Sequence, residues 1–93
     1  MSVSKRNIEI RDRILDFEKR IDDMHLAFQK FAQGEQYKEP EWEKLEMELI
    51  TYSRNKIFDL ALSKNLDRVL YKFQNRKKIW LKWVDELHRG QKR

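Results

Sequence analysis

The stretch IRDRILDFEKRIDDMHLAFQKF, residues 10–31, decides the fold class. Its apolar residues Ile10, Ile14, Phe17, Ile21, Met24, Phe28 and Phe31 recur at spacings of 4-3-4-3-4-3, which places all of them on one seam of an α-helix. Asp12, Asp16, Lys19, Asp23 and Lys30 fall on the remaining faces, as a solvated surface requires. Gly34 stands just past the last periodic residue, where a left-handed C-terminal cap is wanted, and Lys30 complements the negative end of the helix dipole. The spacing predicts a first helix over about residues 4–33.

Downstream, Pro40 suits a first helical position because its missing N–H would be unpaired there anyway, and Glu41 and Glu43 favour the positive end of the dipole. A second seam begins with Trp42, Leu45, Leu49 and Tyr52, but the same register then reaches Lys56, Asp59 and Ser63, which do not belong in a core. In their place Ile57, Phe58, Leu60, Ala61 and Leu62 are apolar nearly all round, the pattern of a segment covered from two directions. A third seam runs Leu66, Leu70, Phe73, Lys77, Trp80, Val84 and Leu87, with Lys77 as its polar interruption and Gly90 as the expected cap.

No Gly or Pro divides the second and third seams, so length must arbitrate. One unbroken helix from Glu41 to Arg89 would extend about 73 Å and leave about 30 Å of apolar stripe uncovered beside a first helix of about 40 to 45 Å. A break near Ser63 gives pieces that match the first helix. The expected architecture is all-α: one domain over residues 1–93, an antiparallel three-helix bundle with helices near 4–33, 41–62 and 64–89 and a tail over 90–93. The alternative is a long helical hairpin completed by dimerisation. With only Gly34, Gly90 and Pro40 as strong breakers, the turn punctuation of an all-β domain is missing.

Ninety-three residues build a thin core, for which dimerisation is a natural supplement. Zero cysteines exclude disulfides, thiolate zinc sites and a cysteine nucleophile. No apolar run of signal-peptide length follows Lys5 and Arg6, and nowhere do eighteen apolar residues stand in succession; the expectation is a cytoplasmic protein.

Charge is spread unevenly, at +1 over residues 1–34, −3 over 35–62 and +7 over 63–93. The basic third interleaves cations with Tyr71, Phe73, Trp80 and Trp83, a composition that phosphates or an acidic protein would recognise. Against this, Phe73 and Trp80 lie on the seam, and cations off the seam commonly do no more than solvate a helix. The candidate partner-binding or phosphate-binding residues are Arg68, Lys72, Arg76, Lys78, Lys82 and Trp83. The acidic start of the second helix, from Glu39 to Glu48, is available to meet the basic third across the bundle or in a neighbouring subunit.

Two Asp-x-x-His pairs, Asp22 with His25 and Asp85 with His88, have the spacing of bundle metal sites, but their registers flank the outer side of each seam and no paired core Glu completes a set. No metal, cofactor or small-molecule substrate is expected. Serine and cysteine nucleophile motifs and Gly-rich phosphate loops are lacking, and an enzyme clamping an anionic substrate would have to use Arg13, Arg20 and Arg54. The third helix is basic, amphipathic and Trp-bearing, yet packing within a bundle explains its apolar stripe better than a membrane surface does. The expected function is therefore a non-enzymatic, homodimeric interaction or assembly module that presents its basic C-terminal helix to an acidic partner. The alternative is a small nucleic-acid-binding protein using that helix on phosphates.

Overall fold

A computed structural model describes residues 3–90 of the chain. The described residues form three packed helices, α1 (Val3–Ala32), α2 (Glu43–Ser53) and α3 (Leu60–Gly90), in a rod of 60 × 18 × 17 Å. None of the helices is long and apolar enough to cross a membrane.

The first helix follows its sequence pattern. Ile10, Ile14, Phe17, Ile21, Phe28 and Phe31 are buried and Met24 is half-buried. The chain leaves α1 through a paired cap: the Gly34 N–H donates to the Phe31 carbonyl at 3.1 Å, and the Glu35 N–H donates to the Lys30 carbonyl at 2.9 Å. Gly34 closes this geometry at φ 81°, a region that a Cβ penalises.

The expected bundle of matched helices gives way to two long helices and one short one. The second helix starts at Glu43 rather than near residue 41; Pro40 lies outside it and is buried, and Trp42 is the N-cap. It ends at Ser53, not near residue 62, and the Ser53 hydroxyl donates to the Ile50 carbonyl at 2.6 Å. The break expected near Ser63 falls instead at residues 54–59. There Asp59 caps α3, its carboxylate accepting the Leu62 N–H at 3.0 Å while its carbonyl accepts the first helical N–H, that of Ser63. The drifting register is thereby explained: Lys56 is in a loop, Asp59 is a cap and Ser63 lies in the first turn of α3. Ile57 is half-buried and Leu62 buried, but Phe58, Leu60 and Ala61 face solvent, so the segment is not covered from two directions. Gly90 is still helical, and residues 91–93 of the expected tail lie outside the described residues.

Contacts between α1 and α3 climb together: Asn7 with Asp59, Asp22 with Lys72, and His25 with Trp80. The two long helices therefore run in the same direction, at a sequence separation near fifty, and α2 lies against their middle. Leu45 and Leu49 of α2 join Phe17, Ile21, Val69 and Phe73 in the buried cluster. Val69 and Leu62 are core residues outside the third seam, whereas Leu70 and Val84 on that seam are only half-buried. The seam widens because α3 serves two neighbours at different angles.

Candidate functional site

The cations of α3 divide by helical phase. At about 100° per residue, Lys77 falls on the inward stripe and the adjacent Lys78 on the outward one. Lys77 Nζ lies 2.8 Å from Glu46 Oε2 and 4.8 Å from the centre of the Trp42 ring, so the polar interruption of the seam is an internal ion pair seated on an aromatic face. This pair also brings acidic α2 to basic α3 at one position, a meeting for which the charge pattern left the acidic segment available. Lys72 bridges to Asp22 at 2.8 Å and Glu18 at 3.4 Å, both on α1. The Asp22 contact, strengthened by that of Glu18 and opposed by burial, holds the Lys72 ammonium above its ordinary pKa. Lys72, expected to face a partner, is therefore occupied within the chain.

Arg76 is half-buried beside His25, whereas Arg68, Lys78 and Lys82 are exposed and form no ion pair among the described residues. With Lys64, Tyr71 and Asn75 they make a stripe at residues 64, 68, 71, 75, 78 and 82, a 4-3-4-3-4 spacing that repeats on the solvent side the periodicity of the core. Tyr71, at its centre, is 70% exposed. Tyr71 stood among the interleaved aromatics of the basic third, but Lys64, Tyr71 and Asn75 were not among the candidate binding residues; tracing the outward register as well as the inward one would have placed them there.

Trp83, a candidate partner-binding residue in the sequence, is half-buried with its ring 5.4 Å from that of His25. Trp80 is fully buried and stacks on Phe28 at 4.9 Å; its indole N–H donates to His25 Nδ1 at 3.1 Å. That bond requires an unprotonated Nδ1. Burial, with Arg76 and Lys72 nearby, pushes the His25 imidazole below its ordinary pKa, and Asp22 opposes them. His25 is thus part of the α1 and α3 contact rather than exposed, while His88 faces solvent. Among the described residues no group of three or more His, Cys, Asp or Glu could hold a metal ion.

The three arginines weighed for substrate binding have separate tasks. Arg20 donates twice to Glu48, at 2.8 and 3.2 Å, a bidentate contact that raises the guanidinium pKa and lowers that of the carboxyl. Arg13 lies over Phe17 and Tyr52, at 4.9 and 5.2 Å from their centres, and Arg54 forms the C-cap of α2.

Compared with protein-family models, curated proteins and solved structures, the chain matches none of them.

Proposed function

We propose that this protein is a non-enzymatic helical interaction module that presents the outward stripe of α3 to an acidic partner protein and assembles as a homodimer. One observation carries the reading: Lys72 and Lys77 are neutralised internally, while Lys64, Arg68, Lys78 and Lys82 stand exposed in one line. That line is about 27 Å long, and its 4-3 spacing suits a helix lying alongside with carboxylates at matching intervals. Complementary charge of this kind orients a partner and speeds its encounter.

The fold enters the proposal as an antiparallel three-helix bundle in which α2 runs against both long helices. Arg20 reaching Glu48 while Arg13 reaches Tyr52 supports this direction. For the homodimer, Leu15 and Leu26 supply exposed apolar positions on the outward face of α1, at 55% and 56% exposure.

Binding of the full chain to a helical peptide with Glu at 4-3 spacing tests the partner class. Replacing Lys64, Arg68, Lys78 and Lys82 together by Gln is expected to weaken it at least tenfold, and Lys72→Gln by less than threefold. Sedimentation equilibrium showing only monomer at high micromolar concentration would remove the dimer. Exposed Tyr71 favours a second reading, single-stranded nucleic acid stacked on its ring along the cationic line. An oligonucleotide bound more tightly than the acidic peptide, with affinity falling steeply as salt rises, would replace the first reading with the second.

A further inference from the structure

One end of the rod holds the first turns of α1 and α3 and the loop before α3. Asn7 meets Asp59 there at 3.4 Å, and Ile8, Arg11 and Ala61 line a shallow groove between the two helix starts. Three large apolar side chains protrude around this contact: Phe58 is 79% exposed, Leu60 69% and Ile8 52%. The exposure of Phe58 and Leu60 follows from the cap, and that of Ile8 from its place on the outward face of α1. Asp59 must turn its carboxylate toward the Leu62 N–H, so the residues on either side of it are directed outward while Leu62 turns into the core.

Cations surround the apolar group. Lys56 Nζ sits over the Phe58 ring at 5.4 Å, Arg11 borders the groove, and Lys64 follows Leu60 by one helical turn on the same face. Arg6 adds another exposed cation on the first turns of α1. The carboxylates in the same region are Glu9 and Asp12, also on α1, and the capping Asp59, already engaged by Asn7 and the Leu62 N–H.

We propose that this tip docks on an anionic lipid surface, with Phe58, Leu60 and Ile8 entering the headgroup boundary and Arg11, Lys56 and Lys64 facing lipid phosphates. Two observations select this occupant over a second copy. The three side chains expose roughly 350 Å² together, so pairing two tips would bury well under the ~1,200 Å² of a specific interface. Such pairing would also bring Lys56 and Lys64 of each copy against the other's. An anionic bilayer attracts those cations and, being fluid, accepts a convex apolar tip without a preformed pocket. This surface is distinct from the apolar stripe of α3, which is spent on the core, and it shares only Lys64 with the outward stripe, whose partner the inference does not require.

The test uses the full chain and extruded vesicles of phosphatidylcholine with about 30% phosphatidylserine, against size-matched vesicles of phosphatidylcholine alone. Because the chain contains no cysteine, Ala61→Cys and Tyr37→Cys each accept one environment-sensitive dye. The dye at residue 61 is expected to shift to the blue on the anionic vesicles, and that at residue 37, in the loop at the other end of the rod, to stay unchanged. The double variant Phe58→Ser with Leu60→Ser, both exposed in the wild type, is expected to keep its helical circular dichroism and to lose binding about tenfold. No binding of the wild type to anionic vesicles, binding that survives the double substitution, or a blue shift caused by self-association without lipid would each overturn the proposal.

Discussion

Lys77 and Lys78 share a peptide bond and a charge, and the fold gives them opposite tasks. Lys77 is drawn into the groove between α2 and α3, where Glu46 and the Trp42 ring hold it. Lys78 points to solvent in line with Lys64, Arg68 and Lys82. The same contrast separates the aromatics of α3: Trp80 is fully buried and Tyr71 is 70% exposed. Composition alone makes the last third of the chain a uniform basic region. Helical phase turns it into an inward face that fastens the fold and an outward face that stays exposed.

The largest effect expected from this contrast is on the aromatics. Trp80→Ala should cost about 3 to 5 kcal/mol in urea unfolding, because it empties a buried site against Phe28 and Phe73, while Tyr71→Ala should stay within about 0.5 kcal/mol. Equal losses at the two positions would end the division into faces. Next come the lysines. Lys77→Ala should cost about 1 to 2 kcal/mol, since a largely shielded Glu46 loses its partner and Trp42 loses its cation, whereas Lys78→Ala should be close to neutral.

The phase of α3 is set at its first turn, so the cap is the third place to probe. Asp59→Ala should cost about 1 kcal/mol, and hydrogen exchange should report it as fraying over Leu60 to Ser63 with protection near Trp80 retained.

The smallest expected effect is a pH dependence on the inward face. The folded chain favours neutral His25, which binds its proton more readily when unfolded, so the unfolded state holds more protons as the pH falls below 6.5. Stability should therefore be complete above that value and decline below it, levelling off once the folded-state imidazole also protonates. Added protons meet Arg76 and Lys72 and take away the acceptor for the Trp80 N–H. His25→Asn should flatten the slope of unfolding free energy against pH between about 6.5 and 5, before ordinary carboxylates titrate; an unchanged slope would show that His25 does not couple to folding.

Legibility in the sequence follows the range of the interaction that fixes each feature. The seam from Ile10 to Phe31 and the cap at Gly34 were readable because both are local: one depends on helical period, the other on a single backbone conformation. The break between α2 and α3 was not, because residues 54–62 contain no Gly or Pro and the start of α3 rests on Asp59, whose capping role was obscured by the apolar residues around it. Val69 was missed as core because it serves an α3 that packs on two neighbours, and a single seam describes only one; Leu62, expected to be covered, is buried. In the candidate site, Arg68, Lys78 and Lys82 were found with their exposure intact. Lys72 and Trp83 could not be recognised as internally engaged, since Asp22, Glu18 and His25 lie about fifty positions or more away in the chain.

By itself, the sequence determined that the chain is helical, where α1 runs and ends, and that its positive charge collects in the last third. Tertiary structure alone decided that α2 would be short, that the two long helices would run side by side, and which cations would be neutralised. The physical reason is the same throughout. Period and capping are written within a few residues of one another, whereas the pairing of Lys72 with Asp22, or of Trp80 with His25, exists only once α3 has been brought alongside α1.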